Sequence, residues 1–337
     1  MRRFITTVSA LFVAIAALAT NVGAQEYPWN PTRPITIIVP WAAGGATDQL
    51  VRVIASELED ELDQSVVVVN QPGASGSIGT KNTLDAARDG YTWTSGAVEN
   101  LGTYGVLDML DTSLDDWHVF LAVANVAVIS VNPNAPYQDF GEFLAALEAN
   151  PGQISVATAG VGSSGHKAIE AIAQSQGLEY RHVTYEGGNP AVIATVGGET
   201  QVTPQLASEQ AEMIRGNRLR PLAVMSAEPL DIAGYGTIPP VTDWLSDLDL
   251  ASAYFGIWVP VGVPDEVIET FTMIWENRIA TSEVLQSYAL ERGAIFTPFH
   301  GDEAHERGMV TVTQGAWSLY DSGAAPIDPS TLGIPRP

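Results

Sequence analysis

The chain has 337 residues, 46% of them hydrophobic, with 15 lysines and arginines against 39 acidic residues, a formal net charge of -24 and no cysteine. Nucleic acid and anionic membrane surfaces are poor partners for so acidic a surface, and disulfides, thiol chemistry and cysteine-bound metal are excluded. The length suits two lobes at the usual ~150 residues per domain, and without cross-links they must be stabilised by packing.

In chain order, Met1-Arg-Arg-Phe gives a basic start. An apolar stretch from Val8 to Ala19 and the small-residue end Asn21 to Ala24 complete a secretory signal over residues 1–24. Its apolar part is shorter than the ~20 residues of a membrane span, so a soluble mature chain is expected from about Gln25, outside the cytoplasm. Tyr27 to Pro34 is a lead-in. Ile35 to Val39 reads as a buried strand, stopped by Pro40, which has no N–H for a sheet ladder. Gly44 and Gly45 permit a turn and close approach of a ligand to the backbone. Leu50, Val51, Ile54, Ala55 and Leu58 then form one apolar helix face. The first turn of such a helix leaves N–H groups free and partly positive, a ready seat for an anion. The surplus of acid does not forbid this: surface charge is screened over ~8 Å, whereas each hydrogen bond to a charged group contributes ~1.5–3 kcal/mol.

Further strands are expected at Ser65 to Asn70, Tyr91 to Ala97, Gln153 to Thr158, His182 to Tyr185, Gln201 to Pro204, Leu219 to Met225 and Tyr254 to Val259. Helices are expected over 80–87, 140–147, 167–174, up to Val196, and over 209–215, 265–279, 282–291 and 302–319. Val119 to Asn132 is too long an apolar run for one ordinary strand and reads as a crossing between lobes; Ser226 to Asp249 reads as the return linker, and 326–337 as a loose end. Strand alternating with helix predicts mainly parallel sheets flanked by helices. The expected division is 25–123 with 250–337 as one lobe and 124–249 as the other, leaving a cleft at the carboxyl ends of the strands. Trp275, Trp317 and Tyr320 sit at helical spacing among apolar neighbours and are expected in cores.

Several motifs recur in a familiar order: Pro34-Ile-Thr-Ile-Ile-Val-Pro with Gly44-Gly45-Ala-Thr-Asp48, Asn70-Gln-Pro-Gly-Ala-Ser-Gly-Ser-Ile-Gly79, Asp89-Gly-Tyr91, Ala157-Thr-Ala-Gly-Val-Gly-Ser-Ser-Gly-His166, Tyr185-Glu186-Gly-Gly-Asn-Pro-Ala191 and Gly256-Ile-Trp-Val-Pro-Val-Gly-Val-Pro264. As an ordered set running to about residue 320, they resemble the Bug-type periplasmic solute-binding proteins of tripartite tricarboxylate transporters. The resemblance implies a two-lobed Venus-flytrap receptor in the periplasm. It would close on a small carboxylate and hand it to membrane permease subunits, with transport driven by an ion gradient. No cofactor is expected, and the receptor is expected to be a monomer.

The implied ligand loops are 41–48, 74–77, 158–166 and 185–189. The candidate ligand residues there are Trp41, Ala43, Gly44, Gly45, Thr47, Asp48, Ser75, Ser77, Thr158, Ala159, Gly162, Ser163, Ser164, His166, Tyr185, Glu186 and Gly187, with Gln205 added at a strand end. Two residues depart from the family pattern. Glu186 stands where a Lys or Arg follows the Tyr, which disfavours a di- or tricarboxylate if it faces the cleft. Trp41 stands at a usually small position and either covers the ligand or lies at the rim.

The motifs have competing readings. Gly160-Val-Gly162-Ser-Ser-Gly165 is formally a dinucleotide fingerprint, but it sits mid-chain after an export signal, where a nicotinamide cofactor is not expected; a carboxylate on its free N–H groups, or simple helix capping by Ser163 and Ser164, fits better. Asp48 either lies beside the ligand or caps its own loop. His300 and His305 flank Asp302 and Glu303 but are five residues apart, which does not put the two histidines on one helix face, so no metal is expected. No nucleophile elbow or H-E-x-x-H motif occurs, and an enzyme is not expected. The rivals are an exported α/β hydrolase using Ser163 or Ser164 with His166, and a binding protein turned to signalling.

Overall fold

The computed structural model of the protein describes residues 26–248 and 252–337; the signal read at 1–24 lies outside them, as does the end of the return linker. The chain begins as the β-branched pattern dictates. β1 (Ile35–Val39), α1 (Ala46–Leu62), β2 (Val66–Asn70), α2 (Ser77–Leu84), β3 (Thr92–Ala97), α3 (Asn100–Val106) and β4 (Trp117–Asn125) alternate strand with helix. The run 119–132 divides at Val126-Ala127 into β4 and β5 (Val128–Val131), which belong to different sheets. Then come α4 (Phe140–Ala149), β6 (Ser155–Thr158), α5 (Ser164–Gln176), β7 (Arg181–Thr184), α6 (Gly188–Gly197), β8 (Val202–Thr203), α7 (Ala207–Arg215) and β9 (Arg220–Val224). The return segment carries a small hairpin, β10 (Leu230–Ile232) with β11 (Gly236–Ile238). The chain closes with β12 (Ala253–Pro260), α8 (Asp265–Asn277), α9 (Glu283–Arg292), β13 (Ile295–Phe296) and α10 (Gly301–Asp321).

One sheet has the order β13-β4-β12-β3-β1-β2 and the other β7-β6-β8-β5-β9. β1 is parallel to β2 and β3, and β6 to β7 and β8. In each sheet the strand that arrives from the other lobe runs against its neighbours: β12 against β3 and β4, β5 against β8 and β9. This places the carboxyl ends of the parallel strands, and the helix starts that follow them, opposite one another between the lobes.

Each sheet is covered by its own apolar cluster. In the first, Trp93 packs edge-on against Phe271 at 4.3 Å, and Phe120 lies 5.4 Å from Trp275, whose indole N–H donates to the Leu121 carbonyl at 2.7 Å. Trp275 is fully buried and Trp317 nearly so, as their helical spacing predicts. In the second, Phe140, Phe143 and Ile172 fill the space between α4, α5 and the sheet.

Three local expectations need correction. Helix α2 starts at Ser77 rather than Thr80, because Gly76 (φ 92°) turns the chain into it earlier. No linker hairpin was expected, yet Ile232 and Ile238 carry β10 and β11 onto an apolar cluster. The end of the chain is not loose. The Trp317 indole donates to the Pro335 carbonyl at 2.7 Å, Ile334 is buried, and the Arg336 guanidinium lies 4.2 Å over the Trp317 ring while pairing with Asp321 at 2.8 Å.

Candidate functional site

Five helix starts, those of α1, α3, α5, α6 and α7, meet where the lobes face each other. Between them is a cavity of about 30 Å³, lined by Gly45, Ala46, Thr47, Asn100, Ser163, Ser164, Gly188, Gln205, Leu206 and Glu209, with Trp41, Ala97, Ala159 and Phe255 as its apolar parts. That volume holds a water or two. A larger cavity, about 600 Å³, adjoins it through Ser164 and Leu206 and runs between α5 and α10 past Asn125.

The first loop is held by Asp48. Its carboxylate accepts from the Gly44 N–H at 2.9 Å, from Asn70 Nδ2 at 2.9 Å and from Arg52 Nη2 at 2.8 Å. Burial alone would push this carboxyl up, but the bonds from Arg52, Gly44 and Asn70 outweigh it and hold it below the usual value. Asp48 is spent on its own loop, where Gly44 (φ 80°) makes the turn, and does not line the cavity. Asp48→Ala should therefore lower the melting temperature by roughly 5–10 °C in calorimetry, the equivalent of about 2–3 kcal/mol. Asp48→Asn, which keeps an acceptor, should cost less.

The 158–166 loop is also self-contained in part. The Ser163 hydroxyl accepts from the His166 N–H at 3.3 Å and donates to the Gly160 carbonyl at 2.8 Å, capping α5. His166 Nδ1 accepts from the Gly162 N–H at 3.1 Å, and its ring stacks on His182 at 4.4 Å. Burial, followed by the charges of His182 and Lys167, drives the His166 pKa down to about 3. A neutral imidazole so engaged cannot serve Ser163 as a base, and the Ser164 hydroxyl donates instead to Glu99 at 2.8 Å. The geometry of an activated nucleophile is not there. Among the described residues no group of three His, Cys, Asp or Glu is placed to hold a metal, and His305 pairs with Asp115 at 2.8 Å.

The family described as tripartite tricarboxylate transporter family receptor matches residues 50–291. The chain belongs to that family. Protein BugT of Bordetella pertussis is 29% identical to this receptor over 323 residues, 94% of this chain and 97% of that protein. A solved structure described as a periplasmic transporter superposes with a TM-score of 0.80 at 25% identity, over 88% of this chain and 99% of that one. MatC from Rhodopseudomonas palustris, with bound malate, does so at 0.78 and 20% identity, over 86% and 99%. The receptor thus has the two-lobed fold of periplasmic binding proteins, in a family whose members bind solutes rather than transform them.

Of the residues singled out from sequence, the structure brings Trp41, Gly45, Thr47, Ala159, Ser163, Ser164 and Gln205 to the small cavity. Others serve it from behind or stand apart. Ser77 donates to the Ala74 carbonyl at 2.9 Å, and Ser75 (φ 53°) approaches Gly160 from the facing loop. Thr158 meets His182. Ala43 is exposed, its carbonyl 3.4 Å from Asn189 Nδ2. The Tyr185 hydroxyl donates to Glu199 at 3.0 Å, away from the cavity. The Glu186 side chain is exposed, while its carbonyl accepts from the Ala42 N–H at 3.0 Å across the cleft, packed there by Gly187.

Two acids not singled out as site residues tie the lobes of this receptor together. Glu99, buried at the start of α3, pairs with Lys167 of α5 at 2.9 Å. Glu209 of α7 reaches the first turn of α1 and accepts from the Ala46 N–H at 3.0 Å. Its other oxygen accepts from the Leu206 N–H at 3.3 Å; with the Gln205 amide in the orientation that satisfies both its ends, Nε2 donates to the same oxygen at 3.0 Å and the amide oxygen accepts from the Ala159 N–H at 2.9 Å. A methyl at Gly188 would fall on both Glu209 oxygens, and one at Gly45 would come within 3.3 Å of one. Gly45, expected to admit a ligand to the backbone, admits the chain's own carboxylate. The sequence trace of Glu209 is slight: it sits three residues into α7 and reaches back to the Leu206 N–H, as the third acid of a capping box does.

Proposed function

We propose that this receptor captures a small organic carboxylate between its lobes in the periplasm and delivers it, as a monomer, to the membrane subunits of a tripartite tricarboxylate transporter. The moving bodies would be 25–123 with 250–337 and 124–249. The observation that carries the reading is the convergence of helix starts from both lobes on one cavity. With the α1 start taken by Glu209, the solute carboxylate belongs on the first turn of α5. There the Ser163 hydroxyl takes the N–H of His166, and the Ser164 and Gly165 N–H groups have no partner within the helix. Asn100 and Thr47 stand on the facing wall and Trp41 beside them. The bound MatC ligand, malate, is an acid of this size class.

Closure about the two crossings follows from differential contacts: a solute gripped by both lobes stabilises the closed form only. A thermal-shift screen over organic acids tests the proposal. A true ligand at 100 times its dissociation constant should stabilise by roughly 2.7 kcal/mol, a rise of several degrees that Ser164→Ala with Asn100→Ala reduces. A screen in which no acid raises the melting temperature would end it.

A further inference from the structure

We infer that Glu209 sets the ligand class of this cleft: its carboxylate already fills the anion seat at the start of α1, so the solute carries an ammonium or other hydrogen-bond donor at that end and its carboxylate at the other. The inference rests on the solute-receptor reading and narrows it, from carboxylates at large to amine-bearing acids and away from di- and tricarboxylates.

The geometry is that of a built counter-charge. Glu209 lines the cavity, and its hydrogen bonds come from neutral groups, the N–H of Ala46 and Leu206 and the Gln205 amide. A carboxylate has about four acceptor positions, and these bonds fill three of them, leaving one on the oxygen bound to Ala46. The side chain is fixed in place by glycine at two positions on two lobes, since a methyl at Gly188 would displace it and one at Gly45 would crowd it. The titratable group facing it from α9 is Tyr288, whose own pKa is raised chiefly by burial and in part by Glu209. From α1 and α6 it meets backbone only. Among the described residues no cation neutralises it, and burial pushes its pKa up to about 7.

A second carboxylate placed about 4 Å from it would bind weaker by on the order of a hundredfold, whereas an ammonium at the same place gains from the attraction. Binding of the ammonium would also draw a proton off Glu209 near neutral pH.

The test compares three acids with the same three-methylene chain: glutarate, 4-aminobutanoate and pentanoate, ending in a second carboxylate, an ammonium and a methyl group. The two-methylene set, succinate, β-alanine and butanoate, repeats it. Melting shifts and calorimetric titrations are run on the wild-type receptor, on Glu209→Gln and on Gly188→Ala, which dislodges the carboxylate by a different route should the first variant fold poorly. In the wild type the amine-ended acid should bind at least tenfold tighter than the diacid. Its heat of binding at pH 7 should change with the buffer in the sense of proton release. Glu209→Gln should cut the preference at least tenfold and abolish the proton release. Equal or tighter binding of the diacid by the wild type, or an order of binding that is the same in the variants, overturns the inference while leaving the receptor reading intact. Absence of binding by these acids and by every acid of the wider screen overturns both.

Discussion

Gly256→Ala should melt at least about 6 °C below the wild-type receptor. β12 runs between β3 and β4, and its register against β4 shifts between Phe255 and Gly256. At that bulge a methyl on Gly256 would overlap the Phe120 carbonyl oxygen and lie 2.7 Å from Leu121 Cα and 2.8 Å from the Phe120 carbonyl carbon. These are backbone atoms of a central strand and cannot swing aside like a side chain. They are also anchored: the Leu121 carbonyl takes the Trp275 indole N–H, and Phe120 packs 5.3 Å from Phe271. Overpacking by one methyl costs typically 1–3 kcal/mol where neighbours give; here two strands must separate, and more than about 3 kcal/mol is expected. At roughly 2–4 °C per kcal/mol, the loss is evident in a calorimetric scan. Gly177→Ala is the comparison. It has φ 64° with nothing within 4 Å, so only about 1–2 kcal/mol of backbone strain is added. A Gly256→Ala melting point at or above that of Gly177→Ala would refute the argument.

The second large effect is on the pH dependence of stability. Glu209 has a folded pKa of about 7 against an ordinary 4.5. The folded state therefore keeps its proton where the unfolded chain has lost it, and acidification from pH 7 to 4.5 adds up to about 3 kcal/mol of stability. His166 acts with the opposite sign. Its folded pKa is about 3 against 6.5, so the unfolded chain takes up a proton that the fold refuses, and stability drains away as pH falls below 6.5; His182, also lowered by burial, adds to this. In the wild type the two trends offset each other between pH 6.5 and 4.5, and the melting temperature should be nearly level there. Glu209→Gln removes the acid-stabilised limb. Its melting temperature should fall by several degrees over the same range, yet exceed that of the wild type above pH 7, where a charge is no longer buried. His166→Asn should tilt the profile the other way. Scans from pH 4.5 to 8 that run parallel for wild type and Glu209→Gln would show that the carboxylate does not titrate as its burial demands.

Much of the scaffold is local physics and could be read without coordinates. The five residues of β1, the proline stop, the Gly44 turn and the apolar face of α1 each follow from side-chain shape and backbone freedom within a few residues. Ser163 as the cap of α5 is equally local. No element was read between 98 and 118, where α3 is a single short, fully packed helix whose burial comes from α10 and the chain end. The loose reading of 326–337 failed for the same reason: proline content speaks of the chain in isolation, but Trp317 offers Ile334 and Pro335 a surface to pack on.

What the sequence determined by itself is the frame of the site, since the period of two in the strands, the period of 3.6 in the helices and the glycines between them set where free helix starts would point. What only the tertiary structure decided is which negative charge sits on the start of α1. Glu209 and Ala46 are 163 residues apart, and beyond its capping-box position nothing within either segment marks the acid as different from any other on a helix. Their meeting depends on how two lobes close, and a long-range contact of that kind leaves no period or local motif behind.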